Sequence, residues 1–249
     1  MLKTKIMGLN VNYEFSNINS EITIVLLHGW GQNIQMMMPF VEIFKKNFNV
    51  LTIDFPGFGD SEEPKYFWSI YDYTKCIRDL IIFLKIKKVI LVGHSFGGRV
   101  AIVYASKYKV EKLVCLASPY CREVRKPPLK TKFYKLIKRI KSLSWLEKIL
   151  KNKIGSQDYK NASPIMRGIL VKVINENLSE CAKKIKCPTL LIWGDLDTAV
   201  PIKRAYELEK MIKDSAVIVY QGATHYAYLE RINQISIVLN NFFKEEKKK

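Results

Sequence analysis

The chain has 249 residues, 48% of them hydrophobic, which suits one αβ domain with a modest insertion, and none of its apolar runs approaches the roughly 18 to 20 residues that cross a bilayer. Its five cysteines (Cys76, Cys115, Cys121, Cys181 and Cys187) lack Cys-x-x-Cys spacing and its three histidines are scattered, which argues against a disulfide framework or a metal site; reduced thiols suit a cytoplasmic protein, and no cofactor is expected. The net charge of +18 is concentrated, since residues 120–187 hold 18 Lys and Arg against 5 Asp and Glu, so that segment is either a lysine-rich solvated face or a surface for anionic partners.

Residues 9–15 alternate polar and apolar and, with residues 3–7, predict an antiparallel edge hairpin. The run Ile22-Thr23-Ile24-Val25-Leu26-Leu27 predicts a strand buried on both faces, ending in His28-Gly29-Trp30-Gly31. A helix is expected over 37–47 and a strand over 50–53. Asp54-Phe55-Pro56-Gly57-Phe58-Gly59-Asp60-Ser61 reads as a tight loop, and apolar residues at helical spacing predict a helix over 70–84. The strand Val89-Ile90-Leu91-Val92 breaks at Gly93, a helix follows over 98–107, and a strand over 112–117. This alternation is the signature of a parallel sheet with right-handed crossovers.

The rhythm stops at Pro119. Leu129, Phe133, Leu136, Ile137, Ile140, Leu143 and Leu146 recur at helical spacing among lysines, which predicts one or two basic amphipathic helices. Such a segment suits a lid over an active site, a membrane-surface helix or a dock for an acidic partner; its place in the chain favours the lid. Strand rhythm resumes over 188–193 and ends in Gly194-Asp195-Leu196-Asp197. A helix over 202–213, a strand over 216–220, Gly222-Ala223-Thr224-His225 and a helix over 227–243 complete the chain, before a polar tail at 244–249 that is expected to be disordered.

Gly93-His94-Ser95-Phe96-Gly97 fits the G-x-S-x-G pattern, in which a serine sits on a strained strand-to-helix turn and glycines let backbones pass closely. Ser95 is the candidate nucleophile; the competing reading is a glycine-rich turn that binds phosphate. Ser95, Asp197 and His225 each follow a predicted strand, in that chain order. With LLHGWG, DFPGFGDS, VGHSFGG, WGDLDTAVP and GATHYAYLE, this order resembles the α/β-hydrolase superfamily, in particular its small cap-bearing carboxylesterases.

The resemblance implies a mostly parallel sheet of about eight strands flanked by helices. It divides the chain into a core of residues 1–119 and 187–249 and a helical cap of residues 120–186 between strands six and seven. It implies that Ser95 attacks an ester or thioester carbonyl, with His225 as base and Asp197 orienting it, and that the backbone N–H groups of Trp30 and Phe96 form the oxyanion hole. Asp195 competes for the acid's role, but the superfamily's W-G-x-x-D pattern places it at Asp197. His28, His94, Phe55 and Phe58 are expected around the pocket, and the aromatics favour an apolar acyl or aromatic group. The stretch HGWGQN is also similar to esterases that demethylate pimeloyl esters on acyl-carrier protein, although those carry tryptophan at the position of His94. An acidic carrier would suit the basic insertion; nucleic acid is not expected. Carbon–carbon bond hydrolysis, perhydrolysis and lyase chemistry use the same triad, and an idle hydrolase fold used for ligand or partner binding is the alternative of another class.

Overall fold

The computed structural model describes residues 1–122 and 162–244. Its centre is an eight-stranded sheet formed by β1 (Leu2–Ile6), β2 (Leu9–Ser16), β3 (Ile22–Leu27), β4 (Asn49–Ile53), β5 (Lys88–His94), β6 (Lys112–Leu116), β7 (Thr189–Gly194) and β8 (Ser215–Tyr220). The spatial order is β1-β2-β4-β3-β5-β6-β7-β8. The β1–β2 and β2–β4 pairs are antiparallel and all others parallel, so the edge hairpin expected from polar alternation is present.

The continuous apolar runs are divided between two faces by the two-residue period of a strand. Val25, Leu27, Leu91 and Leu113 join one core with Tyr73 and Ile77 of α2 (Ile70–Phe83) and Val100 of α3 (Phe96–Lys107). Ile24, Leu26, Ile90 and Val92 face the other way, onto Phe40 and Phe44 of α1 (Met38–Phe44). Each such side chain contributes about 1.5 to 3 kcal/mol of burial, which is why both faces are covered.

Between β6 and β7 the described residues hold two helices, α4 (Pro164–Asn175) and α5 (Ser179–Ala182), and no strand. The amphipathic pattern of residues 129–146 lies outside the described residues, as do residues 245–249 of the polar tail. After β7, α6 (Lys203–Met211) precedes β8. Two helices, α7 (Ala227–Glu230) and α8 (Ile232–Phe243), close the chain.

Two local features differ from the sequence reading. The helix expected over 37–47 is a 3-10 turn at Ile34–Met36 followed by α1, because Asn33 caps the turn and Pro39 suits a first helical turn. The helix expected over 227–243 is divided at Arg231, whose backbone (φ −123°, ψ 33°) leaves the helical region although the apolar spacing continues across it. The start of α2 agrees, and Ser69 and Asp72 form a reciprocal capping box there.

Candidate active site

β5 ends at His94 and α3 begins at Phe96, leaving Ser95 alone on the turn at φ 50°, ψ −107°. A non-glycine residue in so sparsely populated a conformation costs about 1 to 3 kcal/mol, so the surroundings must hold it. They do so through the Ser95 N–H, which donates to the Leu116 carbonyl at 2.9 Å, and the Arg99 N–H, which donates to the Ser95 carbonyl at 3.2 Å. The glycines answer to space: a Cβ on Gly93 would lie 2.6 Å from the Gly97 backbone, and one on Gly97 would collide with the Leu27 carbonyl oxygen. The start of α3 is thereby pressed against the end of the neighbouring strand β3.

That contact brings Trp30 and Phe96, the residues expected to supply the oxyanion donors, near each other. Trp30 follows β3, and its ring meets that of Phe96 edge-on at 5.3 Å. Phe96 opens α3, so its N–H has no partner within the helix.

On the far side, Asp197 and His225 follow β7 and β8, which are adjacent and parallel. Asp197 Oδ2 lies 2.7 Å from His225 Nδ1, while Oδ1 accepts from the N–H groups of Ala199 and Val200, both at 2.8 Å. The Asp197 side chain is fully buried, whereas that of His225 is 15% exposed. Its Nδ1 engaged, the imidazole has Nε2 left for a proton. Asp195, the competing acid, instead accepts from the Gly222 N–H at 2.8 Å and braces the turn after β8.

A cleft of about 610 Å³ gathers Ser95, His225, His94 and Trp30 together with Gln32, Leu196 and Tyr226. Trp30 also lines a second cleft of about 320 Å³, with Phe58, Glu63 and Met166.

The other two histidines have assigned protons. Phe55 N–H donates to His28 Nε2 at 3.0 Å, so Nδ1 carries the hydrogen and donates to the Gly29 carbonyl at 2.7 Å. Burial holds the His28 pKa down at about 4. His94 Nε2 lies 3.1 Å from the His225 carbonyl oxygen, which can only accept, so this nitrogen carries the proton. Burial, then the neighbouring His225, lower the His94 pKa to about 3. His94 therefore supports the backbone of His225.

The pocket roles expected from sequence divide accordingly. His94 and Phe58 line clefts, whereas His28 and Phe55 are fully buried and line neither. Phe55 packs edge-on against Phe96 and Tyr73, so it supports the wall from behind.

Sequence reading did not single out Gln32, whose Oε1 accepts from the Gly29 N–H at 2.9 Å and lies 3.3 Å from His94 Nδ1. Its place beside two glycines in HGWGQN was the available signal. Asp54 was also missed as a buried hub, accepting from Asn12 Nδ2 and the N–H groups of Ile34 and Asp60 at 2.7, 2.7 and 2.9 Å. Among the described residues there is no cluster of His, Cys, Asp or Glu that could hold a metal ion.

A mostly parallel sheet flanked by helices, with a serine on a strained elbow after β5, defines an α/β-fold hydrolase. Residues 19–232 match the model of the family described as serine aminopeptidase, S33, and the chain belongs to that family. It is 24% identical over 246 residues to a pimeloyl-[acyl-carrier protein] methyl ester esterase of Aliivibrio fischeri (strain MJ11), covering 89% of this chain and 93% of that one. It is 28% identical to the AB hydrolase superfamily protein YisY of Bacillus subtilis (strain 168), covering 88% and 90%. Among solved structures it resembles the enol-lactonase from Burkholderia xenovorans LB400, with a TM-score of 0.79 at 22% identity, over 98% of this chain and all of the other (100%). The meta-cleavage product hydrolase of Pseudomonas fluorescens IP01 gives a TM-score of 0.75 at 21% identity, over 98% and 97%. These two likenesses show a shared fold. No helix among the described residues is long and apolar enough to cross a membrane.

Proposed function

We propose that the chain is a serine hydrolase that cleaves a carboxylic ester or thioester through an acyl-enzyme. Ser95 Oγ attacks the carbonyl carbon as His225 Nε2 takes its proton, and Asp197 orients the imidazole and stabilises the imidazolium. The N–H groups of Trp30 and Phe96 receive the oxyanion, and water then repeats the attack on the acyl group. The observation that carries this reading is the 2.7 Å Asp197–His225 contact beside a cleft that His225 shares with a strained Ser95.

The aromatic surroundings support an apolar acyl or aromatic group, and we take residues 120–186 as a cap over this face. The esterase of A. fischeri acts on a carrier-linked ester according to its name, and the basic surplus in the insertion supports an acidic carrier protein as partner here too. The five unpaired thiols suit a reducing cytoplasm.

A panel of p-nitrophenyl esters of increasing acyl length tests the reading, with Ser95→Ala as the blank. The expected result is chain-length-dependent hydrolysis that Ser95→Ala lowers by at least about 1,000-fold. Activity that survives Ser95→Ala would sink the reading.

A further inference from the structure

A third cleft, of about 130 Å³, adjoins the one that holds Ser95: Ala199 and Val200 line both. Three guanidinium-bearing side chains converge on it from different parts of the fold. Arg99 comes from α3, Arg122 from the segment after β6, and Arg204 from α6. Its apolar walls include Ile174 and Pro201. The volume is about four times the roughly 30 Å³ share of one liquid water, room for a carboxylate or phosphate group.

Arg99 is 4% exposed and donates only to backbone carbonyls, those of Pro119 at 2.9 Å, Val173 at 2.8 Å and Glu176 at 2.6 Å. Its Nε has no partner. Burial lowers the Arg99 pKa to about 10, which leaves the group charged near neutral pH. The Glu176 carboxylate lies close enough to be felt but bonds to the Ile70 N–H at 3.0 Å. Arg122 donates to a neutral partner, Asn175 Oδ1, at 2.7 Å. Arg204 pairs with Glu207 at 2.6 Å and approaches the Tyr120 hydroxyl. Among the described residues, three guanidinium groups thus line the cleft, one of them, Arg204, paired with a carboxylate. A buried cation without an anion is costly, whereas a guanidinium donates in a fork that fits carboxylate and phosphate oxygens.

We propose that this cleft is an anion subsite that receives a carboxylate or phosphate group of the substrate. The proposal deepens the esterase reading above and rests on it for the word substrate; the site itself stands on Arg99, Arg122 and Arg204. The preferred ester then carries an anionic group held beside Val200 while its acyl carbon lies at Ser95.

The test has two parts. The full chain carrying Ser95→Ala is titrated by calorimetry with inorganic phosphate and with acetate, at constant ionic strength against chloride. Saturable binding of at least one of them is expected, weakened about tenfold by Arg122→Gln and less by Arg122→Lys, with circular dichroism confirming that each variant is folded. Binding no tighter than that of chloride, or binding untouched by Arg122→Gln, overturns the subsite. In the active protein, matched esters ending in methyl, carboxylate or phosphate are compared by kcat/KM. An advantage of about tenfold for one anionic ester, reduced in Arg122→Gln, is expected and tells the carboxylate source from the phosphate source; equal turnover of all three overturns the substrate role. Should Ser95→Ala instead retain hydrolysis, the esterase reading fails and the titration still decides whether the anion site exists.

Discussion

The elbow at residues 93–98 and the return loops at 194–200 and 222–226 present side chains to the same cleft by different physics. At the elbow, position is a matter of exclusion: Gly93 and Gly97 admit backbone where any side chain would collide, and Ser95 is held in a strained conformation by the fit. In the return loops, position is a matter of bonding. Asp197 is held by two backbone N–H groups and passes that order to His225, whose carbonyl is held in turn by His94. The contrast teaches that the elbow is intolerant of volume, and the loops of changes in donor and acceptor.

The largest expected effect falls on the bonding side. Asp197→Asn leaves the shape intact but presents the wrong donor pattern to His225, and kcat should fall by about 1,000- to 10,000-fold. Asp195→Asn touches only the turn at Gly222 and should stay within a few-fold of the parent. Steady-state kinetics of the pair sharpens the comparison, and the reverse ranking would break it. On the exclusion side, Gly97→Ala forces a methyl group against the Leu27 carbonyl. It should destabilise the fold by about 1 to 3 kcal/mol, read as a lower urea midpoint. An unchanged midpoint would mean that the elbow is not sterically held.

A further effect concerns pH. His28 stays neutral in the fold down to about 4, while the unfolded chain takes up the proton near 6.5, so between those values the unfolded state binds more protons. Stability is therefore complete above about pH 6.5 and is lost as pH falls toward 4, by up to about 3 kcal/mol from this group. Urea unfolding across that window should show the slope, and His28→Gln, whose amide can still accept from Phe55 N–H, should flatten part of it.

The inner strands were legible because each is a largely aliphatic run, as a strand buried on both faces must be, and the edge hairpin because its residues alternate polar and apolar. Ser95 was legible because its strained turn needs glycine at fixed distances along the chain. Arg231 was not legible as a helix break, since Ile232, Ile235 and Leu239 continue the apolar spacing that precedes it. Nor was Asp54, whose partners Asn12 and Ile34 are distant in sequence and are brought near by the pairing of β2 with β4 and by the loop after β3.

The sequence by itself determined the chain order of strands and helices and the elbow, because these rest on local periodicity and on glycine at fixed spacing, and the resemblance of its motifs to the α/β-hydrolase superfamily supplied the candidate set Ser95, Asp197 and His225. Only the tertiary structure set Asp197 at hydrogen-bond distance from His225 and Asp195 against Gly222, buried His28 and Phe55 away from both clefts, and brought Arg99, Arg122 and Arg204 to one cleft. Those outcomes depend on which buried donors and acceptors meet across the sheet, and residues far apart in the chain meet only when the strands between them have paired.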